Sequence, residues 1–262
     1  MDNTMLPRPH RILKVIRETK AEYTFRVEYS GSSLHGQFFM LSIPKVGEAP
    51  ISVSGRGDGF VEFTIRKIGR LTEGIFGLNE GDNLFMRGPY GNCFPLEKFE
   101  GKDLAVICGG TGMAPVRTML RHFAENPEKC RSLHLITGFK DADSVLFSDE
   151  LEQFRRSFHT VCCLDNSEAE GFRRGFVTEY IDEIPFKSFE DFNVVIVGPS
   201  VMMSAAAKKC MALGVPPEKI WVSFERKMSC AVGKCGHCKI NETYVCLEGP
   251  VFNYTVAKGL FD

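Results

Sequence analysis

The first third of the chain alternates short apolar runs with glycine-bearing breaks. Arg11–Ile16, Tyr23–Tyr29, Phe38–Ile43 and Phe60–Ile65 are rich in β-branched and aromatic residues, and Ser30-Gly31-Ser32, Gly55–Gly59 and Asn79–Asp82 interrupt the series. Short strands bounded by such turns predict an antiparallel barrel, with no long helix among them.

After about residue 100 the pattern changes. An apolar strand, Leu104–Cys108, runs into Gly109-Gly110-Thr111-Gly112-Met113-Ala114-Pro115. A helix is predicted over Val116–Ala124, because Val116, Met119, Leu120 and Phe123 recur at helical spacing. Pro115 suits its first position, where the missing N–H is not needed. Strands at Leu133–Thr137, Thr160–Leu164, Asn193–Val197 and Trp221–Phe224 then alternate with helices at Ser148–Phe158, Val177–Ile184 and Val201–Leu213. That alternation predicts a doubly wound parallel sheet covered on both faces. Ligands bind such sheets at the carboxyl ends of the strands, where Gly109–Gly112 and Gly198-Pro199 fall. A glycine turn opening a helix is a natural site for a pyrophosphate. The run is not G-x-G-x-x-G, because Pro115 stands where the third glycine would be.

The densest chemistry lies near the end. Cys230, Cys235, Cys238 and Cys246 have the spacing C-x4-C-x2-C-x7-C, which fits four thiolates on a plant-type [2Fe–2S] cluster. Gly233 and Gly236 allow the loop to wrap closely around inorganic sulfide. His237 is read as a spacer. Zinc also takes four cysteines, but only Cys235 and Cys238 match its usual C-x2–4-C knuckle, and a zinc-ribbon binding protein is the alternative from another class.

Composition narrows the setting. The 262 residues are enough for about two domains and a small module, with 44% hydrophobic and 25% charged residues, as in ordinary globular proteins. A formal net charge of −1 gives no basic field for nucleic acid. No apolar run reaches the ~20 residues that span a bilayer, so no membrane is expected. Met1-Asp2-Asn3-Thr4 lacks the features of a signal peptide. Ten cysteines without an export signal point to a reducing, cytoplasmic setting rather than disulfides. Those outside the motif, among them Cys108, Cys163 and Cys210, read mostly as small core residues.

With these stretches in place, the chain resembles the ferredoxin–NADP reductase superfamily from His10 to Cys246. The strongest marks are Gly109–Pro115, Phe147-Ser-Asp-Glu-Leu151, Gly198–Met203 and Glu225–Cys238. The branch with an added C-terminal [2Fe–2S] module holds electron-transfer subunits of dihydroorotate dehydrogenase, γ subunits of sulfhydrogenases and B subunits of anaerobic sulfite reductases. The last are most similar around the cysteines and Val245–Val251. The resemblance implies an FAD-binding β-barrel at 1–98, an NAD(P)-binding α/β domain at 99–223 and a [2Fe–2S] module at 224–262. It implies that Pro50, Ile51 and Ser52 line the flavin, that Ile65, Arg66 and Lys67 pass beside it, and that Leu71 and Thr72 meet its phosphates. Gly110, Thr111, Gly112 and Pro115 would hold the nicotinamide nucleotide. Much of the superfamily has arginine where Ala49 stands, so another cation is expected at the pyrophosphate: Arg66 first, then Lys67 or Arg56. The implied activity is electron transfer from NADH through FAD and the cluster to iron–sulfur and siroheme-containing sulfite reductase subunits, since no residue here resembles a siroheme ligand set. Dihydroorotate dehydrogenase or sulfhydrogenase partners are the alternative. Asp165, after the Thr160–Leu164 strand, favours NADH over NADPH by repelling a 2′-phosphate.

Overall fold

The structure is a computed structural model describing residues 5–224 and 226–261. The chain divides into two compact units, one of residues 5–94 with 226–251 and the other of residues 95–224 with 252–261. The stretch read above as one module, 224–262, is therefore shared out between them.

In the first unit, β1 (Arg8–Arg17), β2 (Glu22–Glu28), β3 (Phe38–Ile43), β4 (Gly47–Gly57), β5 (Phe60–Arg66) and β6 (Asn83–Tyr90) close a barrel in the order β1-β2-β5-β4-β3-β6. Every pairing is antiparallel. Successive strand residues point to opposite faces, so Phe25 and Val27, Phe39 and Leu41, Val61, Phe63 and Ile65, and Leu84 and Met86 turn inward together as the core. Phe39 meets Phe63 edge-on, with ring centroids 5.4 Å apart. Helix α1 (Arg70–Phe76) packs Ile75 into this core.

Strand β4 is where the sequence pattern is weakest, because Gly47, Pro50, Gly55 and Gly57 look like turn residues. The register explains why it is nonetheless a strand. Pro50 pairs with Met40 of β3, while pairing with β5 begins only at Val53. Pro50 thus has no neighbour on its other side, and its missing N–H breaks no ladder.

The second unit contains α2 (Leu96–Phe99), β7 (Asp103–Gly109), α3 (Met113–Glu125), β8 (Ser132–Phe139), α4 (Ser148–Ser157), β9 (His159–Leu164), β10 (Arg173–Arg174), β11 (Phe192–Val197), α5 (Ser200–Ala212) and β12 (Ile220–Ser223). The chain then returns to the first unit for the hairpin β13 (Lys239–Ile240) and β14 (Thr243–Tyr244) and for α6 (Val245–Glu248). It finishes with β15 (Val251–Asn253) and α7 (Tyr254–Ala257). The sheet order is β10-β9-β8-β7-β11-β12-β15, and the pairs from β10 to β12 are parallel. All seven residues of β7 are buried, as expected for a strand covered on both faces.

The helix expected over Val177–Ile184 is instead two 3₁₀ turns, Val177–Glu179 and Ile181–Glu183. The segment holds Val177, Thr178, Ile181 and Ile184, which are stiff at χ1, and Pro185 forbids continuation, so fewer than three turns were available to offset helix nucleation.

Candidate functional site

The strand order reverses between β7 and β11, which both run to the same carboxyl edge. At that switch point the glycine turn meets the Gly198-Pro199 corner, and each glycine has its own reason. Gly110 has φ +54, a left-handed conformation costly for other residues. Gly112 has an ordinary helical φ of −61, but a Cβ there would lie 2.4 Å from the Val197 carbonyl oxygen. Gly112 is required by space, not by conformation. Gly110 and Thr111 are half-exposed. Helix α3 begins at Met113, so Pro115 is its third residue rather than its first. It remains within the first turn, where backbone N–H groups have no intrahelical partner.

Behind this turn, a charged network ties α3 to the start of α4. Buried Arg117 and half-exposed Arg121 both grip Glu150, Arg117 through its Nε at 3.0 Å to both oxygens and Arg121 through Nη2 at 2.6 Å. Burial by itself would raise the Glu150 carboxyl, but the two guanidinium groups outweigh it and hold the group below its usual range. Arg117 also stacks on Phe147, 4.2 Å from the ring centroid. At the end of β9, the guanidinium groups nearest Asp165 in sequence have acid partners: Arg173 pairs with Glu183, and Arg174 with Glu168 at 3.8 Å.

On the barrel, β4 is half-exposed from Glu48 through Ser52. Ile51 packs against the core, so Pro50 and Ser52 face outward. Ile65 is a core residue, and only its backbone can line a ligand. Lys67 is exposed, and Leu71 rests against the core cluster. Arg66, the first candidate for the missing cation, is held across the β2–β5 pair by buried Glu22, Nε to Oε1 2.7 Å. Arg56 is bound to the Ser33 carbonyl and, at 2.9 Å, to His35 Nε2. Thr72 closes the start of α1: its hydroxyl donates to the Gly69 carbonyl at 2.9 Å and accepts the Ile68 and Gly69 amides.

The four motif cysteines lie in the same unit as the barrel. Ala231, Gly233 and Gly236 have φ of +61, +68 and +77, giving the loop its tight curl. Amides converge on sulfur. Val232, Lys234 and Cys235 direct N–H groups at Cys230 Sγ over 3.3–3.4 Å, and Gly233 directs one at Cys246 Sγ over 3.3 Å. Exposed Cys235 is pulled down to about 7 by hydrogen bonds from the His237 and Cys230 backbone and from the Cys230 thiol. Burial pushes Cys246 up to about 12, aided by the Cys238 thiol. The sulfurs thus sense one another in one patch. Among the described residues no three His, Cys, Asp or Glu side chains surround a single metal position. A two-iron cluster divides its four thiolates between two irons, and sulfur set among amide donors fits such a cluster.

The sequence reading missed one role. It falls to the turn Arg87–Asn92, whose side chains hold the cysteine module. Asn92 donates to the Glu248 and Val251 carbonyls at 2.8 and 2.7 Å and accepts the Val251 amide at 2.9 Å. Arg87 binds the Ser229 and Cys230 carbonyls at 2.9 and 2.8 Å.

A barrel, a parallel-sheet nucleotide domain and a C-terminal iron–sulfur module together define a ferredoxin–NADP reductase-like protein. Residues 106–208 match the oxidoreductase NAD-binding domain, and residues 225–256 match the iron–sulfur cluster binding domain of dihydroorotate dehydrogenase B. The chain is 33% identical to sulfhydrogenase 2 subunit γ of Pyrococcus furiosus, over 93% of each chain. It is 34% identical to a probable dihydroorotate dehydrogenase B electron transfer subunit of Methanocaldococcus jannaschii, over 92% of this chain and 88% of that one. The fold matches the NADH-dependent reduced ferredoxin-NADP oxidoreductase structure with a TM-score of 0.79 at 23% identity, covering 94% and 88% of the two chains. The chain belongs to the family of these γ and electron-transfer subunits. FAD, an iron–sulfur cluster and NADH are the cofactors that go with it.

One expectation is corrected here. Iron–sulfur and siroheme-containing sulfite reductase subunits were expected as partners, but the full-length relatives are subunits of dihydroorotate dehydrogenase B and sulfhydrogenase. The likeness to sulfite reductase rested on the residues around the cysteines, which any member of the branch needs for its cluster. Among the described residues, no helix is long and apolar enough to cross a membrane.

Proposed function

We propose that this chain is an NADH-linked electron-transfer subunit that delivers single electrons to a catalytic subunit of the dihydroorotate dehydrogenase or sulfhydrogenase class. When bound, the flavin converts the two-electron chemistry of NADH into the one-electron chemistry of the cluster. The chain's residues supply binding and placement. Gly110, Thr111, Gly112 and Pro115 offer the nucleotide a bare turn and the start of α3, where unsatisfied amides favour a pyrophosphate. Pro50, Ser52 and the backbone of Ile51 and of 65–67 offer the flavin a half-open barrel face, with Leu71 and Thr72 at the start of α1. Cys230, Cys235, Cys238 and Cys246 hold the cluster, and amides aimed at their sulfurs stabilise the extra negative charge of the reduced state.

The observation that carries this reading is the packing of the cysteine module on the flavin barrel through Arg87 and Asn92. Anaerobic purification from the native host tests it. The protein is expected to be coloured, to bleach on NADH addition in both flavin and iron–sulfur bands, and to bring down a catalytic subunit that oxidises dihydroorotate or H₂. A colourless protein, or one whose bands ignore NADH, rejects the reading.

A further inference from the structure

Arg87 stands in the middle of β6 with its side chain only 5% exposed. It donates from Nε to Glu48 Oε1 at 2.8 Å and from Nη2 to Glu48 Oε2 at 2.6 Å. Its other N–H groups reach the Ser229 carbonyl at 2.9 Å, the Cys230 carbonyl at 2.8 Å and the Tyr90 hydroxyl at 3.2 Å. A guanidinium has five N–H donors, and here all five have a partner. Such complete use of the fork is not a general solvation of charge. It fixes three chain segments relative to one another.

The segments matter. Arg87 and Pro50 are both register partners of Met40 on β3, so they sit in one cross-strand row, two strand spacings or about 10 Å apart. Glu48 lies two residues further along β4, on the same face and opposite Ser42. The Arg87–Glu48 pair therefore crosses over β3 on the barrel's outer face, where Met40 and Ser42 are buried. That is the face onto which Pro50 and Ser52 open. The other end of the guanidinium grips the backbone of Cys230 and the residue before it. One side chain thus joins the first thiolate of the cysteine loop to the strand that carries the flavin-lining residues.

We propose that Arg87 is a positioning residue for electron transfer from flavin to cluster, locking the Ser229–Cys230 backbone onto the β4 face so that the two redox centres keep a fixed separation. This rests on the functional reading above. Burying the Arg87–Glu48 pair is costly unless every hydrogen bond is made, and the loop carbonyls complete the set. The clamp and the loop therefore order each other.

The test uses the full-length protein carrying flavin and cluster, as wild type, Arg87→Lys, Arg87→Met and Glu48→Gln. Lysine keeps the charge but loses the fork, methionine loses both, and Glu48→Gln leaves the loop contacts while removing the carboxylate anchor. Stopped-flow absorbance separates flavin reduction by NADH from the later reduction of the cluster. Amide hydrogen exchange on residues 226–236 reports the loop directly, including in the cluster-free protein. In Arg87→Lys and Arg87→Met, flavin reduction is expected within twofold of wild type, cluster reduction at least tenfold slower, and loop exchange faster. Glu48→Gln should fall between. The cluster's midpoint potential is expected to move in Arg87→Met, which leaves Glu48 unpaired, more than in Arg87→Lys. Variants that keep the wild-type cluster-reduction rate and loop exchange overturn the proposal. If an Arg87 variant loses its iron, Glu48→Gln decides by the same two readouts. Failure of the functional reading shows differently, as wild-type protein that NADH does not reduce.

Discussion

Replacing Gly112 with alanine adds one methyl group where the turn after β7 touches the corner after β11. The added Cβ would lie 2.4 Å from the Val197 oxygen, 2.7 Å from its carbonyl carbon and 2.8 Å from Gly198 Cα. All three are backbone atoms, so no flexible side chain can swing away. Val197 cannot retreat freely either, since β11 is paired on one side with β7 and on the other with β12, opposite Cys108 and Ser223. The loops must part by roughly 0.6 Å even to reach 3.0 Å. Overpacking of this kind costs about 1–3 kcal/mol. Gly112 already has helical φ, so alanine also brings a gain of about 0.5–1 kcal/mol in backbone entropy. The net loss is then centred near about 1.2 kcal/mol and reaches about 2.5 kcal/mol at most, and with a urea slope of roughly 2 kcal/mol per molar the midpoint drops by about 0.6 M. Trp221, the chain's single tryptophan, lies on β12 beside β11 and reports on this unit alone by fluorescence. Gly110→Asn is the control. A Cβ at Gly110 meets nothing within 4 Å, and asparagine tolerates the left-handed φ, so its midpoint should stay near wild type. A Gly112→Ala midpoint at or above wild type would refute the argument, because the loops would then yield without cost.

The remaining expectations concern each site in turn. Cys235→Ser should remove most of the bound iron as measured by elemental analysis, while Cys210→Ser, buried in α5, should leave it unchanged; equal iron in both would reject the ligand assignment. Glu150→Gln leaves Arg117 and Arg121 without their carboxylate and should destabilise the second unit by on the order of 3 kcal/mol. Because the folded carboxyl is held below its ordinary value of 4.5, its contribution is complete above that pH and fades as pH falls through the lower folded value. The wild-type advantage over Glu150→Gln should therefore shrink on acidification from pH 6 to pH 3, and a pH-independent difference counts against it. NADH should have the higher kcat/KM, since Arg173 and Arg174 already have acid partners; Asp165→Ser should narrow the gap to NADPH by about tenfold, and an unchanged ratio would remove Asp165 from the site.

The sequence alone determined what depends on local chemistry. Alternation of β-branched and aromatic residues set the barrel strands, and apolar runs separated by helical periodicity set the parallel sheet. The cysteine spacing carried the cluster reading, since four thiolates must come from one short loop and one following segment. Single glycines were legible as a class but not as individuals. Only the fold shows that Gly110 is needed for its φ and Gly112 for its closeness to Val197. Strand β4 was hidden because proline and glycine signal turns locally, and only its one-sided pairing shows why Pro50 is tolerated. The eight residues from Val177 to Ile184 were read as a helix because their apolar spacing allowed it, yet a segment that short is decided by packing and by Pro185. Arg66 looked like a spare cation until Glu22 appeared across the pair of strands. Arg87 was invisible as a clamp because its partners lie 39 and more than 140 residues away. Contacts over such separations leave no periodicity in the sequence, so tertiary structure alone decides which charge is solvated and which one joins the cluster loop to the barrel.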